Sequence, residues 1–508
     1  MLQYIFISSV ICFFFFLLFD SITCDFKAIG LDVWKRIILC FVLTLVYKCC
    51  LGFEFYGLEY EDAYVFDVAA RQFSQGIYTS QFMTEIVESG SIEKPEFMGV
   101  YGGHFVTYPI FLSYFYKIFG NNIPMFHVAT SILAFLMLLL LSIFPSTSKK
   151  WYVAPCIFCC APIINVFGNT GLSEIFSSFV LLSFCYAFFS YIAKGNRYFM
   201  LTVCAFFLAI LCKRENLIIF IIPCLYLLKG LVNKDKDTIR IFVSVCSVCA
   251  LLILVYLFFI KNVFSIESEE SLDLQKSTFS FAYWIRLFPI FISALFNLKY
   301  FSLIFSLFLV KIIYDCLTCK LSFQNITLVI LFIGYLMLYT SHYRGYFFVH
   351  HNDVSQFDSF RYLNNFFFIV PLIFLNVTFE RPQYFASIIM LMVISCVLTF
   401  YNRSIFSQKE IQVRFQDVEQ VKCFIDSNYL DVNIITSQSL LYRSKMPYTQ
   451  KIEDVRIWFK NPEVKGKDIF VLDADEDYLK QRYGISLPHK NMKEVYRTTS
   501  GTIVYHLK

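Results

Sequence analysis

The chain has 508 residues, 58% of them hydrophobic, 19% aromatic and only 16% charged, with a mean hydropathy of +0.61. That excludes a water-soluble globular protein and indicates a polytopic membrane protein. The net charge of +5 is spread thinly, with no run of like charges that could track a phosphate backbone, so nucleic acid is not expected as a partner.

A helix needs about 20 apolar residues to cross a bilayer. About twelve such spans are expected, in chain order Leu2–Phe19, Arg36–Phe53, Ile123–Phe144, Trp151–Gly168, Leu172–Ala193, Tyr198–Cys212, Leu217–Val232, Ile241–Ile260, Tyr300–Leu317, Ile326–His342, Tyr362–Val377 and Tyr384–Tyr401. Phe105–Phe119 and Phe281–Leu298, the latter interrupted by Pro289, read as helices at the membrane surface or re-entrant. The first run has no basic residue ahead of it and no small-residue cleavage pattern after it, so it reads as a true span rather than a secretion signal.

Lys and Arg collect on the cytoplasmic side of membrane proteins. With the N-terminus outside, the inner loops hold Lys27, Lys35 and Arg36; Lys149 and Lys150; Lys194 and Arg197; Lys234, Lys236 and Arg240; Lys320; and Arg381. The same register places residues 54–104, 261–283, 344–360 and the tail outside. Loop 54–104 carries nine acids and two bases.

Residues 402–508 hold 31 of the 81 Lys, Arg, Asp and Glu residues, which marks a watery segment after a lipid-embedded one. Two units follow: 1–401 in the membrane, with its first outer loop at 54–104, and a small α/β domain at 402–508. The tail alternates strand-like runs (Val432–Ser437, Asp468–Leu472) with helix-like stretches (Asp417–Ser427, Asp475–Arg482), and Gly501–Leu507 alternates like an edge strand. Nearly all of the eighteen cysteines sit in apolar runs. The Cys-x-x-Cys spacings at Cys156/Cys159, Cys246/Cys249 and Cys316/Cys319 therefore read as packing rather than metal ligation.

A pump or carrier typically buries charge at the bilayer midplane. Here Glu174 lies near an outer helix end, Arg286 and Lys311 are isolated, and the remaining polar groups collect in three outer clusters. In the first, Glu61 and Asp62 open a short amphipathic helix defined by Phe66, Ala69 and Phe73. Asp62 suits an N-cap, and equally a general base at the interface. Asp67 and Arg71, four apart, read as a helix-surface ion pair. The second cluster is Lys213-Arg214-Glu215-Asn216. Two cations on the outer side call for an anion, and a lipid phosphate suits the Arg214 guanidinium fork. The third runs from His342-Tyr343-Arg344 through His350-His351-Asn352-Asp353 to Arg361-Tyr362. Its imidazoles and carboxylates are solvated loop groups or, alternatively, ligands of a divalent metal at His350, His351 and Asp353.

In order, these motifs resemble those of polyprenyl-phosphate-dependent membrane glycosyltransferases of the GT-C class. Glu61-Asp62-Ala63-Tyr64-Val65, followed by Ala69-Ala70-Arg71 and Gly76, is similar to that family's acidic first-loop motif, with Glu61 in place of the usual first Asp. Tyr108-Pro109-Ile110-Phe111 leading to Ile118-Phe119-Gly120 resembles its Pro-containing helix ending in Phe-Gly. Leu211-Cys212-Lys213-Arg214-Glu215-Asn216-Leu217 is similar to its Leu-Thr-Arg-Pro-Glu-Gly-Leu, with Glu215 and Asn216 departing in part from Pro-Glu-Gly. Arg361-Tyr362 with Pro371 looks like its late Arg-Tyr segment.

The likeness covers about 400 residues. It implies a GT-C-like helical membrane fold and sugar transfer from a polyprenyl-phosphate-linked lipid donor to a glycan, lipid or protein acceptor hydroxyl, on the extracytoplasmic face of a bacterial plasma membrane. Asp62, aided by Glu61, would deprotonate the acceptor. Lys213, Arg214 and Arg361 would hold the donor phosphate, and Glu215, Tyr108, His104 and Arg344 are further substrate-binding candidates. Some members of the class use a divalent metal and others none, and no other cofactor is implied. A transporter or lipid flippase, and a structural membrane subunit, are the competing readings. Either would keep the hydrophobic bulk without catalysis.

Overall fold

The computed structural model describes residues 2–49, 61–77, 87–90, 95–98, 106–120, 125–145, 151–161, 171, 173–260, 281–297, 303–341, 360–375, 382–406, 409–429, 432–437, 442, 450–458, 468–472, 476, 477, 480, 486 and 492–507. Helix dominates. In chain order come α1 (Leu2–Ile29), α2 (Asp32–Cys49), α3 (Glu61–Ser74), α4 (Thr107–Phe119), α5 (Phe126–Ile143), α6 (Val153–Phe158), α7 (Glu174–Lys194) and α8 (Phe199–Cys212). A 3-10 turn (Arg214–Phe220) leads into α9 (Ile221–Asn233), α10 (Lys236–Val255), α11 (Phe281–Leu295), α12 (Ile304–Leu317) and α13 (Phe323–Ser341). A second 3-10 turn (Phe360–Asn365) precedes α14 (Ile369–Ile373), α15 (Pro382–Phe406) and α16 (Lys409–Asn428).

Each of the twelve expected spans contains a helix. Among the described residues six helices are long and apolar enough to cross a membrane: Tyr4–Ile29, Phe126–Ile143, Glu174–Lys194, Arg214–Asn233, Thr238–Phe258 and Phe323–Ser341. Helix α7 is the hub. It is apolar all round and buried from Glu174 to Tyr191, as expected of a helix with no face left for solvent. An aromatic ladder ties it to its neighbours: Phe15 of α1 stacks on Phe111 of α4, and Phe111 stacks on Phe176 of α7 at 4.6 Å.

Helix α4 carries Pro109 in its first turn, where backbone N–H groups have no intrahelical partner to lose. Residues Thr107–Ser113 are buried by protein, and the helix ends at Gly120, whose φ is +85°. Helix α11 runs continuously through Pro289.

Beyond α15 the chain forms a five-stranded mixed sheet. Its strands are β3 (Asn433–Thr436), β4 (Ile452–Asp454), β5 (Asp468–Leu472), β6 (Met492–Arg497) and β7 (Ile503–Leu507), in the order β4-β3-β5-β7-β6. Strand β3 is parallel to β4 and β5, whereas β7 is antiparallel to β5 and β6. The run 501–507 is therefore not an edge strand. The sequence alternation does not report the strand's place in the sheet: Val504 and Leu507, three apart and so on opposite faces, are both buried. Helix α16 docks on the β6–β7 turn through Asp417, which accepts from Thr502 Oγ1 at 2.7 Å and from Ser500.

Between α3 and α4, β1 (Val87–Gly90) and β2 (Pro95–Met98) form an antiparallel pair, and β1 packs beside β4. The β1–β2 pair thus lies against the C-terminal sheet.

Candidate active site

The 14-residue helix α8 spans about 21 Å at 1.5 Å per residue, and each of its ends carries a polar clamp. At the start, Asp25 of α1 accepts hydrogen bonds from Tyr186 at 2.7 Å, Tyr198 at 2.5 Å and Lys194 at 2.6 Å. Arg197 pairs with Asp20 at 3.0 Å beside it. At the other end, Thr107 Oγ1 donates to the Leu211 carbonyl at 2.5 Å, joining the N-terminus of α4 to the turn that begins at Lys213. The Lys194–Arg197 loop and the turn at Lys213 therefore mark opposite ends of α8.

Helix α3 is fixed to that second end. Every residue from Phe66 to Phe73 is buried, and Gly76, at φ +79°, closes the helix. Ile77 N–H donates to Gln72 O and Gly76 N–H to Phe73 O, a Schellman motif that needs the left-handed residue glycine provides. Arg71 Nε meets Asp67 Oδ2 at 2.9 Å, Tyr116 donates to Asp67 Oδ1, and the Met125 N–H donates to Tyr116 Oη at 3.1 Å.

The i,i+4 pairing of Asp67 and Arg71 is as expected, but its place is not: with side chains 1% and 4% exposed it is a buried pair. Charges taken out of water must be matched, and Tyr116 of α4, which donates to Asp67 and stacks under Arg71, ties the pair to that helix. Glu61 and Asp62 form the first turn of this clamped helix; their side chains lie outside the described residues.

Tyr108 stands beneath that helix, edge-on to Phe66 with ring centroids 5.6 Å apart. Its hydroxyl is buried and has no hydrogen-bond partner among the described residues. Burial first, then the nearby Asp67 and Glu174 carboxylates, push the phenol well above its ordinary range, so the hydroxyl stays protonated.

Lys213 Nζ donates to Glu174 Oε1 at 2.9 Å in a buried ion pair, so its nearest anion is a protein carboxylate. Arg214, half-buried, hydrogen-bonds Tyr256. Glu215 acts electrostatically on Tyr335, Tyr339 and Tyr256. Asn216 is wholly buried. Its Nδ2 donates to Ser177 Oγ and to the Ala209 carbonyl, each at 2.8 Å, and its Oδ1 accepts from Asn365 Nδ2 at 2.9 Å and Tyr335 Oη at 3.3 Å.

The structure thus brings together α3, Tyr108 and the turn 213–216, and joins to them the 3-10 turn on which Arg361 sits. The Arg361 side chain, like all of His104, Arg344, His350, His351 and Asp353, lies outside the described residues. Among the described residues no cluster of three or more His, Cys, Asp or Glu is placed to hold a metal.

Sequence reasoning missed Asn365 and the Glu174 contact. The signal for Asn365 was present, since Asn364-Asn365 interrupts an otherwise apolar run soon after Arg361.

No family model and no curated protein matches the chain. Two solved structures are similar over most of its length. One is the crystal structure of ArnT from Cupriavidus metallidurans bound to undecaprenyl phosphate, with 11% identity, 94% of this chain and 98% of that chain covered, and a TM-score of 0.52. The other is the archaeal oligosaccharyltransferase AglB from Archaeoglobus fulgidus in complex with an inhibitory peptide and a dolichol-phosphate, with 11% identity, coverage of 94% and 74%, and a TM-score of 0.49. At this identity the likeness is one of fold. The chain is a polytopic helical membrane protein with a small C-terminal α/β unit, and it shares the fold of ArnT.

Proposed function

We propose that the protein is a membrane glycosyltransferase that moves a sugar from a polyprenyl-phosphate-linked donor to an acceptor hydroxyl of a glycolipid, polysaccharide or protein, on the extracytoplasmic face of a bacterial plasma membrane. The observation that carries this reading is the Thr107–Leu211 contact, which sets the acid-bearing helix α3 and the arginine-bearing turn at one end of α8. A fold shared with ArnT, which binds undecaprenyl phosphate, supports it.

Asp62, with Glu61 beside it, takes the proton from the acceptor hydroxyl. The acceptor oxygen forms a bond to the anomeric carbon as the bond from that carbon to the phosphate oxygen breaks. The electron pair leaves with the polyprenyl phosphate, and positive charge builds on the sugar ring in between. Arg214 faces the charge growing on the phosphate, with Arg361 on the adjoining turn and Lys213 adding positive field from its pair with Glu174. Tyr108, a protonated donor with no hydrogen-bond partner among the described residues, hydrogen-bonds substrate oxygen, and Glu215, with His104 and Arg344 on the strength of the sequence motifs, would bind substrate as well. If the reaction uses a divalent metal, as some members of the class do and others do not, His350, His351 and Asp353 are the residues that would hold it, and its charge would assist phosphate departure. The sugar is a hexose or a pentose.

The test incubates purified protein with a panel of polyprenyl-phosphate sugars and candidate acceptors and follows release of lipid phosphate. Release that depends on acceptor supports the reading. Lipid translocation in vesicles without any release would replace it with a flippase.

A further inference from the structure

Lys213-Arg214-Glu215-Asn216 contains three ionisable residues and one amide, and the amide is the best-connected of the four. An asparagine side chain can donate two hydrogen bonds and accept two. Asn216 makes all four, to α7 (Ser177), the end of α8 (Ala209), α13 (Tyr335) and the 3-10 turn Phe360–Asn365 (Asn365). Asn365 extends the network by donating to Tyr339 Oη at 3.3 Å. The turn is also wedged by packing, because Ile218 Cδ1 lies only 2.8 Å from where a Cβ on Gly334 would sit. A buried amide saturated in this way has one favourable position, since any shift leaves a donor or acceptor unpaired at about 1–3 kcal/mol each.

Two arginine-bearing turns, at positions 214 and 361, are therefore joined directly by the hydrogen bond from Asn365 Nδ2 to Asn216 Oδ1 at 2.9 Å. We infer that Asn216 and Asn365 form a positioning pair that fixes the spacing of these two turns around a lipid-linked phosphate. Asn216 acts through Arg214 and touches no substrate. This rests on the glycosyltransferase reading and adds to it the device that aligns its phosphate site. Preorganised charge is effective only when held in place, and a misplacement of about 1 Å costs on the order of a hundredfold.

The test measures binding of undecaprenyl phosphate to the full-length protein in detergent micelles, with each variant normalised to its folded fraction. Arg214→Ala weakens binding. Asn216→Ala weakens it about tenfold or more, and the double variant binds no more weakly than Arg214→Ala alone, because a residue acting through Arg214 has nothing left to act on. Should Asn216→Ala fail to fold, Asn365→Ala approaches the same contact from the other turn under the same criterion. Wild-type affinity in the asparagine variant beside a defective Arg214→Ala overturns the inference and leaves the glycosyltransferase reading standing. Losses that multiply in the double variant also overturn it, since they mark general structural damage. A wild-type protein that does not bind the lipid phosphate removes both.

Discussion

Lys213 and Glu174 meet as a buried ion pair at 2.9 Å, although 39 residues separate them in sequence. The contact joins the turn after α8 to the first residue of α7, which is buried from Glu174 to Tyr191. It gives the first of the two adjacent cations a partner within the protein, which makes Arg214 the principal candidate for an exogenous anion.

Breaking that pair from one side leaves a charge buried without its partner. Lys213→Ala is expected to destabilise the protein by about 3–5 kcal/mol, measured by denaturant unfolding in micelles. The double variant Lys213→Met with Glu174→Leu should recover most of the loss, because two apolar side chains of similar size need no partner.

Asp25 offers a control at the opposite end of α8. Asp25→Ala strands two tyrosine hydroxyls and Lys194 and should cost about 3 kcal/mol of stability. It should leave turnover per folded molecule unchanged, since about 21 Å of helix separates it from the turn at Lys213. A loss of turnover per folded molecule would show that the far end takes part in the reaction.

Tyr116 tests the clamp on α3. Tyr116→Phe removes the hydroxyl that donates to Asp67 and accepts from Met125 N–H. Stability should fall by about 1–3 kcal/mol, and Arg71→Ala, which uncovers the buried Asp67 charge, should cost more.

Much of this architecture is legible in the sequence. Length and apolarity place the spans, and the motif from Glu61 to Gly76 announces both the helix and its left-handed stop. Burial is harder to read. The spacing of Asp67 and Arg71 says that they touch but not that helix α4 covers them, because proximity along a helix is local and coverage is tertiary. The only hint is that Val68, Ala69 and Ala70 leave α3 with little polar face to present to water. For the same reason the alternation of residues 501–507 does not give the strand's place in the sheet, between β5 and β6. The contact of Asn216 with Asn365 spans 149 residues, and single-residue chemistry carries no signal for it beyond an amide set in an apolar run.

Asp62 carries the chemistry in this account. Asp62→Asn keeps the size and removes the base, so turnover should fall by about a hundred- to ten-thousandfold while undecaprenyl phosphate binding is retained. Equal loss of binding and turnover would instead make Asp62 a ligand-holding or folding residue.

The most direct measurement introduces single cysteines at positions 62 and 214 of a variant whose exposed native cysteines are replaced by serine, and treats oriented vesicles with a membrane-impermeant thiol reagent. The account predicts that both positions react from the extracytoplasmic side, with undecaprenyl phosphate protecting position 62. Reaction of the two from opposite faces of the bilayer would contradict it.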